Sequence, residues 1–165
     1  MFLIALLGVA LSGCQSVDEN TFAIYLLSQD VPTAKLSQTD INELRLEDKP
    51  IISSDDIVSY DKTSHTLELT RAASRRLQQS FPTPVKVNGI PFVVCVGDER
   101  IYTGAFWTLL SSLSYNGVVI LQPLNSTATT IQITLGYPGS DAFTGIDPRA
   151  DPRIMKALEQ SKKVK

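Results

Sequence analysis

Residues 65 to 107 read HTLELTRAASRRLQQSFPTPVKVNGIPFVVCVGDERIYTGAFW, and this stretch decides the fold. Leu67 and Leu69 alternate with Thr66, Glu68 and Thr70, the period-two pattern of a half-buried strand. Thr70 is placed to cap a helix, because its hydroxyl can accept a hydrogen bond from an N–H of the first turn that has no partner in the helix. Ala73, Leu77 and Phe81 recur at spacings of four and share one helical face, while Arg71, Arg75 and Arg76 lie mostly away from it. Pro82 and Pro84 stop the helix, since neither has an N–H to continue the ladder. Phe92 to Val96 is apolar at every position, as expected of an interior strand covered on both faces and flanked by a helix. Gly97-Asp98-Glu99 supplies a turn, and Arg100 to Phe106 returns as the partner strand.

Working outward, Thr21 to Leu27 forms a first strand, with Phe22, Ile24 and Leu26 on one face. Residues 28 to 39 are polar, contain Pro32 and read as a loop, and residues 40 to 46 fit neither the helical nor the strand period. Ile57 to Tyr60 and the His65 strand make a hairpin around Asp61-Lys62-Thr63-Ser64. After Trp107, a polar stretch carrying Leu109, Leu110 and Leu113 precedes a buried-type strand at Val118 to Leu121. Residues 130 to 135 alternate cleanly, with Ile131, Ile133 and Leu135 facing the core. Residues 136 to 150 are rich in Gly, Pro and Asp and read as irregular. Asp151-Pro152 then opens a helix over about 151–161, a cap followed by proline at the first helical position. The fold class is α+β: a mostly antiparallel sheet with one or two helices packed on it.

The residues Leu67-Glu68-Leu69-Thr70, Ala72-Ala73, Phe92 to Val96 and Arg100-Ile101-Tyr102-Thr103-Gly104-Ala105 carry a resemblance. Their pattern resembles the first large extracytoplasmic head domain of SecD, a subunit of the protein-export machinery. The resemblance covers roughly a quarter of the chain. It implies a SecD-head-like fold rather than the export motor, whose membrane-spanning helices have no counterpart in this sequence. At two places the chain departs from the family: Ala72 stands where the family has Gly, and Gly97-Asp98-Glu99 replaces its Asp-Gly turn.

The N-terminus carries a second pattern. Residues 1 to 13, MFLIALLGVALSG, are almost wholly apolar, yet fall short of the about 20 residues a spanning helix needs. They fit the apolar region of a signal peptide. Leu11-Ser12-Gly13-Cys14 is similar to the lipobox of bacterial lipoproteins, although no Lys or Arg precedes the apolar run. That likeness implies cleavage before Cys14, a diacylglycerol on its sulfur, and a place on the extracytoplasmic side of the bacterial cell envelope. The chain then divides into a signal peptide (1–13), a short tether (14–20) and a single α+β domain (21–165). Residues 15 to 20 reach roughly 20 Å when fully extended, so the domain would stand close to the membrane. A thioether at Cys14 would leave Cys95 as a lone thiol in an apolar strand, most simply a small core residue.

With a formal net charge of −2 and a pI near 5.3, no electrostatic feature of the 165 residues points to nucleic acid. Arg71, Arg75, Arg76 and Lys86 form either a small basic patch or a solvated helix face. His65, the single histidine, shares parity with the core-facing Leu67 and Leu69, and no Gly-x-Ser-x-Gly elbow accompanies it. Asp55, Asp56 and Asp61 read as turn and cap residues, lacking the glycine of a calcium loop. No cofactor, metal or catalytic set is expected. Tyr102, Phe106 and Trp107, with Tyr115 beside them, are the candidate interaction surface, competing with the plainer reading that they close the core. The expected function is therefore non-enzymatic: a lipid-anchored envelope protein presenting its domain to another protein or an extended polypeptide, docked on an exposed sheet edge. The alternatives are a small envelope hydrolase using His65, or a lipoprotein that binds a small molecule or cell-wall ligand.

Overall fold

In the computed structural model, which describes residues 20–123 and 127–165, the apolar run at 92–96 lies inside an eight-stranded sheet. The signal-peptide and lipidation expectations, Cys14 included, fall outside the described residues. The strands are β1 (Phe22–Leu26), β2 (Ile52–Ser53), β3 (Ile57–Asp61), β4 (Thr66–Leu69), β5 (Ile90–Val96), β6 (Glu99–Trp107), β7 (Tyr115–Leu121) and β8 (Thr130–Tyr137). Helix α1 (Arg71–Gln79) follows β4, and α2 (Pro152–Gln160) follows β8. Both helices start where the sequence predicts. Thr70 accepts a hydrogen bond from the Ala73 N–H, and Asp151 accepts one from the Arg153 N–H ahead of Pro152 at the first turn. Phe81 lies past the end of α1 but still packs inward, edge-on to Phe106 at 5.3 Å.

The strand order is β2-β1-β5-β6-β7-β8-β4-β3. Laid flat, eight strands would separate the two edges by about 34 Å at the usual inter-strand spacing. Yet β2 and β3, at opposite edges, are joined only through Ser54–Asp56, a link that reaches about 14 Å from Ser53 to Ile57. The sheet must curl until its edges meet. Side chains bind the seam. The Ser54 hydroxyl accepts from the Phe22 N–H (3.1 Å) and donates to the Phe22 carbonyl (3.2 Å), while Asp56 takes the Ser53 N–H (2.8 Å) and the Arg76 guanidinium (2.6 Å).

The sheet is mostly antiparallel, but β6 and β7 run parallel. A parallel pair requires the chain to travel back along the strand, usually through a dozen or more residues containing a helix. Here residues 108–114 do it without a helix, through a turn closed by the Ser111 N–H on the Thr108 carbonyl (3.1 Å), and the Tyr137 hydroxyl holds them by donating to the Ser111 carbonyl (3.2 Å). The leucines that the sequence leaves unexplained after Trp107 belong to this crossover.

Alternation divides the strands between two cores. The inner one draws on every strand and both helices, among them Phe22, Ile24, Leu67, Leu69, Phe92, Val94, Phe106, Ile120, Ile131 and Ile133, with Ala73 and Leu77 from α1 and Ile154 and Leu158 from α2. The outer one gathers Val93, Cys95, Ala105, Trp107, Tyr115 and Val119 beneath Leu36 and Leu44, which come from irregular segments. Arg100 pins that cover by donating to the carbonyls of Ile41 (2.6 Å) and Leu44 (2.7 Å). The double burial expected of residues 92–96 is met, with loops rather than a helix on the outer side.

Candidate functional site

The three aromatics proposed as one surface do not share a face. Tyr102 and Phe106 stand two pleats apart on β6 and point into the inner core, where Phe106 lies 5.0 Å from Phe92. Trp107, one residue on, points the opposite way. Tyr102, Phe106 and Trp107 are 8%, 0% and 2% exposed, so the first two close the core and offer no contact surface. Adjacency in sequence put them together, and the pleat takes them apart.

Trp107 and Tyr115 nevertheless build a site. Their rings stack at 5.0 Å and 14° on the outer face, with Tyr137 tilted against Trp107 at 5.8 Å. The backbone beside them is bare. Gly89, at φ +78°, would place a Cβ 2.5 Å from the Trp107 ring, and Gly117 would place one 2.6 Å from the Tyr115 ring. No side chain fits at either position without moving an aromatic. Above the pair is a groove of about 590 Å³ between the helical turn at Thr33–Gln38 and the end of the crossover. Leu36 and Leu113 supply apolar walls, and Asn88, Thr103 and Asn116 supply polar ones. Asn116 is itself fixed, exchanging hydrogen bonds with the Thr144 hydroxyl (2.7 Å) and N–H (2.9 Å).

The polar atoms of the two rings are unspent. Among the described residues the buried Trp107 Nε1–H has no acceptor, and the Tyr115 hydroxyl makes no hydrogen bond. Burial pushes the Tyr115 hydroxyl up to about 12, so it remains a neutral donor at physiological pH. A buried polar group without a partner forfeits roughly 1–3 kcal/mol, a deficit that a ligand's acceptor could make good. Around the groove the crossover exposes Leu110 at 74%, Leu109 at 52% and Leu113 at 50%. Leu109 also borders a second hollow of about 350 Å³, shared with Leu121, Leu135 and Tyr137.

His65 stands elsewhere and differently from its expected place. It lies in the β3–β4 turn in a left-handed conformation, φ +52°, rather than on the strand. Its Nδ1 is 2.6 Å from the Tyr60 hydroxyl. Burial, then the Arg149 guanidinium, lowers its pKa, while burial raises Tyr60 to about 12, so the two share a hydrogen bond as neutral groups, its direction set by the imidazole tautomer. Asp61 is occupied in the same turn by the N–H groups of Thr63 (2.8 Å) and Ser64 (3.2 Å). Cys95 is 2% exposed, and burial pushes its thiol up to about 11. That environment favours the protonated thiol over a nucleophilic thiolate.

The sheet edge expected to dock a partner is taken up at its centre. Tyr60 of β3 donates to the Lys163 carbonyl (2.7 Å) and accepts from the Lys165 N–H (2.9 Å), so the C-terminal tail covers the edge. The other edge, β2, is two residues long. The groove instead depends on residues that sequence reasoning passed over, Leu36, Asn88 and Asn116. The only hint of it was three leucines at no regular period after Trp107. No helix among the described residues is long and apolar enough to cross a membrane. No protein-family model matches the chain, and neither the curated proteins nor the solved structures contain a significant match.

Proposed function

We propose that this is a non-enzymatic lipoprotein of the bacterial cell envelope, anchored through Cys14, whose groove beside Trp107 receives apolar side chains of an extended polypeptide. The observation that carries the binding site is the stacked Trp107–Tyr115 pair lining a rimmed groove, with the Trp107 Nε1–H buried and without an acceptor among the described residues. Extended chains offer free carbonyls to such a donor, and the exposed leucines of the crossover extend the apolar contact. The resemblance of residues 65–107 to the SecD head domain supports a role beside unfolded or translocating chains. The lipobox-like Leu11-Ser12-Gly13-Cys14 supports the anchor.

The chain has a single tryptophan, so its emission reports directly on the groove. A Trp-free, permanently unfolded polypeptide titrated into the protein is expected to shift that emission saturably, and Leu110→Asp with Leu113→Asp is expected to abolish the shift. An unchanged spectrum at saturating polypeptide rejects the groove as the site. Separately, labelled palmitate should enter the wild-type chain and not Cys14→Ser. Equal labelling, or none, removes the anchor.

A further inference from the structure

The chain has seven arginines. Five have partners for their guanidiniums: Arg45 on Gln29, Arg76 on Asp56, Arg100 on two carbonyls, Arg149 on Asp147 and the Ile133 carbonyl, and Arg153 on Asp151 and Glu99. The side chains of Arg71 and Arg75 make no hydrogen bond or ion pair with the described residues. These are also the two that face one hollow. They stand one helical turn apart at the start of α1, where i and i+4 share a face, and line a space of about 350 Å³ with Ser74, Thr127 and Thr129.

The walls of this hollow are fixed to one another. The Ser74 hydroxyl donates to the Ala128 carbonyl, and the Leu69 N–H donates to the Thr129 carbonyl (2.7 Å), so α1 and the segment entering β8 move together. Among the described residues no carboxylate lines the space. Two guanidiniums of like charge on one face repel each other, and the positive end of the helix dipole adds to the field. An anion between them relieves both effects.

We propose that Arg71 and Arg75 bind a phosphate-class oxyanion, either free phosphate or the phosphate of a lipid headgroup. The donor set selects the class. A carboxylate has oxygens for one guanidinium fork, whereas a tetrahedral phosphate can satisfy two forks at once. The inference is independent of the Trp107 groove, because the two sites share no residue.

The test uses the whole chain, with inorganic phosphate titrated by calorimetry at low salt. Binding is also measured by sedimentation with phosphatidylcholine vesicles, with and without phosphatidylglycerol. Arg71→Gln with Arg75→Gln should weaken phosphate binding by about a hundredfold, each charged hydrogen-bonding group being worth roughly tenfold. Lys162→Gln with Lys163→Gln removes the same charge elsewhere and should leave binding intact. Phosphate binding without sedimentation assigns a free ligand, and sedimentation that needs phosphatidylglycerol and both arginines assigns the headgroup. No binding in either assay, or equal weakening by the two double variants, overturns the proposal. Arg71, Arg75 and Lys162 are exposed and Lys163 half-buried, and an unchanged thermal transition confirms that each variant is folded.

Discussion

The two faces of the sheet are built by different rules. The inner core is assembled from periodic elements, strands alternating by two and helices repeating by four, and its members include Phe92, Phe106, Leu67 and Leu77, each 0% exposed. The outer core is covered by chain with no period: helical turns at Thr33–Gln38 and Ile41–Glu43, and a crossover without a helix. Periodic elements satisfy their own backbone as they pack, so the inner face can be purely apolar. Irregular cover has to be tied down by side chains, as Arg100 does, and it closes imperfectly. Among the described residues it leaves a groove, an unpaired indole donor and three exposed leucines. Stability belongs to one face and adaptable surface to the other.

That division is broken most directly by equal truncations on the two faces. Phe92→Ala removes a fully buried ring from between Phe106 and the Gly104 backbone, where a Cβ on Gly104 would lie only 2.3 Å from it. It should cost about 3–5 kcal/mol in urea denaturation. On the outer face Val93→Ala should cost less than Val94→Ala, the same truncation one residue on that faces the inner core, and should leave the inner-core transition cooperative. Equal losses would mean that the irregular layer is packed as tightly as the periodic one.

A smaller and more local effect is expected at Arg100. Its two hydrogen bonds to the Ile41 and Leu44 carbonyls are charge-assisted, and a methionine retains the length of the side chain without the donors. Arg100→Met should lose about 1.5–3 kcal/mol and loosen the segment over Leu36 and Leu44. Amide hydrogen exchange should then speed up in residues 33–46 and leave β4 and α1 unchanged. Acceleration spread over the whole sheet would show that the two cores do not unfold as separate units.

The same contrast explains what could be read from the sequence. The inner face was legible because Phe22, Ile24 and Leu26, or Ile131, Ile133 and Leu135, announce their side by alternation alone. Thr70 and Asp151 announced their helices through local capping chemistry, which does not depend on the rest of the fold. The parallel pairing of β6 and β7 was not legible. Extended chain has no marker for direction, and seven residues without a helix do not look like a crossover. The groove was hidden for a related reason. Leu36, Asn88, Trp107 and Asn116 meet only after the sheet has curled and the crossover has been laid over it. Grouping Tyr102, Phe106 and Trp107 failed at the simplest level, since residues of opposite parity on a strand cannot form one surface.

The smallest effect concerns the turn that joins β3 to β4, where inner-core packing meets a titratable group. His65 has a pKa in the folded chain lowered from its ordinary 6.5, chiefly by burial, so the unfolded chain binds the extra proton more readily. The contribution to stability is therefore complete above about pH 6.5, declines as the pH falls below that value, and levels off once the folded form is also protonated. His65→Asn removes the titrating ring but keeps a side chain that tolerates the left-handed backbone at φ +52°. The variant loses the 2.6 Å bond with Tyr60, and its stability near neutral pH should fall modestly. The diagnostic is the slope of stability against pH just below 6.5, measured by urea denaturation at closely spaced pH values. The wild type should show a slope that the variant lacks. A slope unchanged in the variant would place the titration on another group, and a slope of opposite sign in the wild type would mean that the Asp147 and Asp61 carboxylates, which favour the charged imidazole, outweigh its burial.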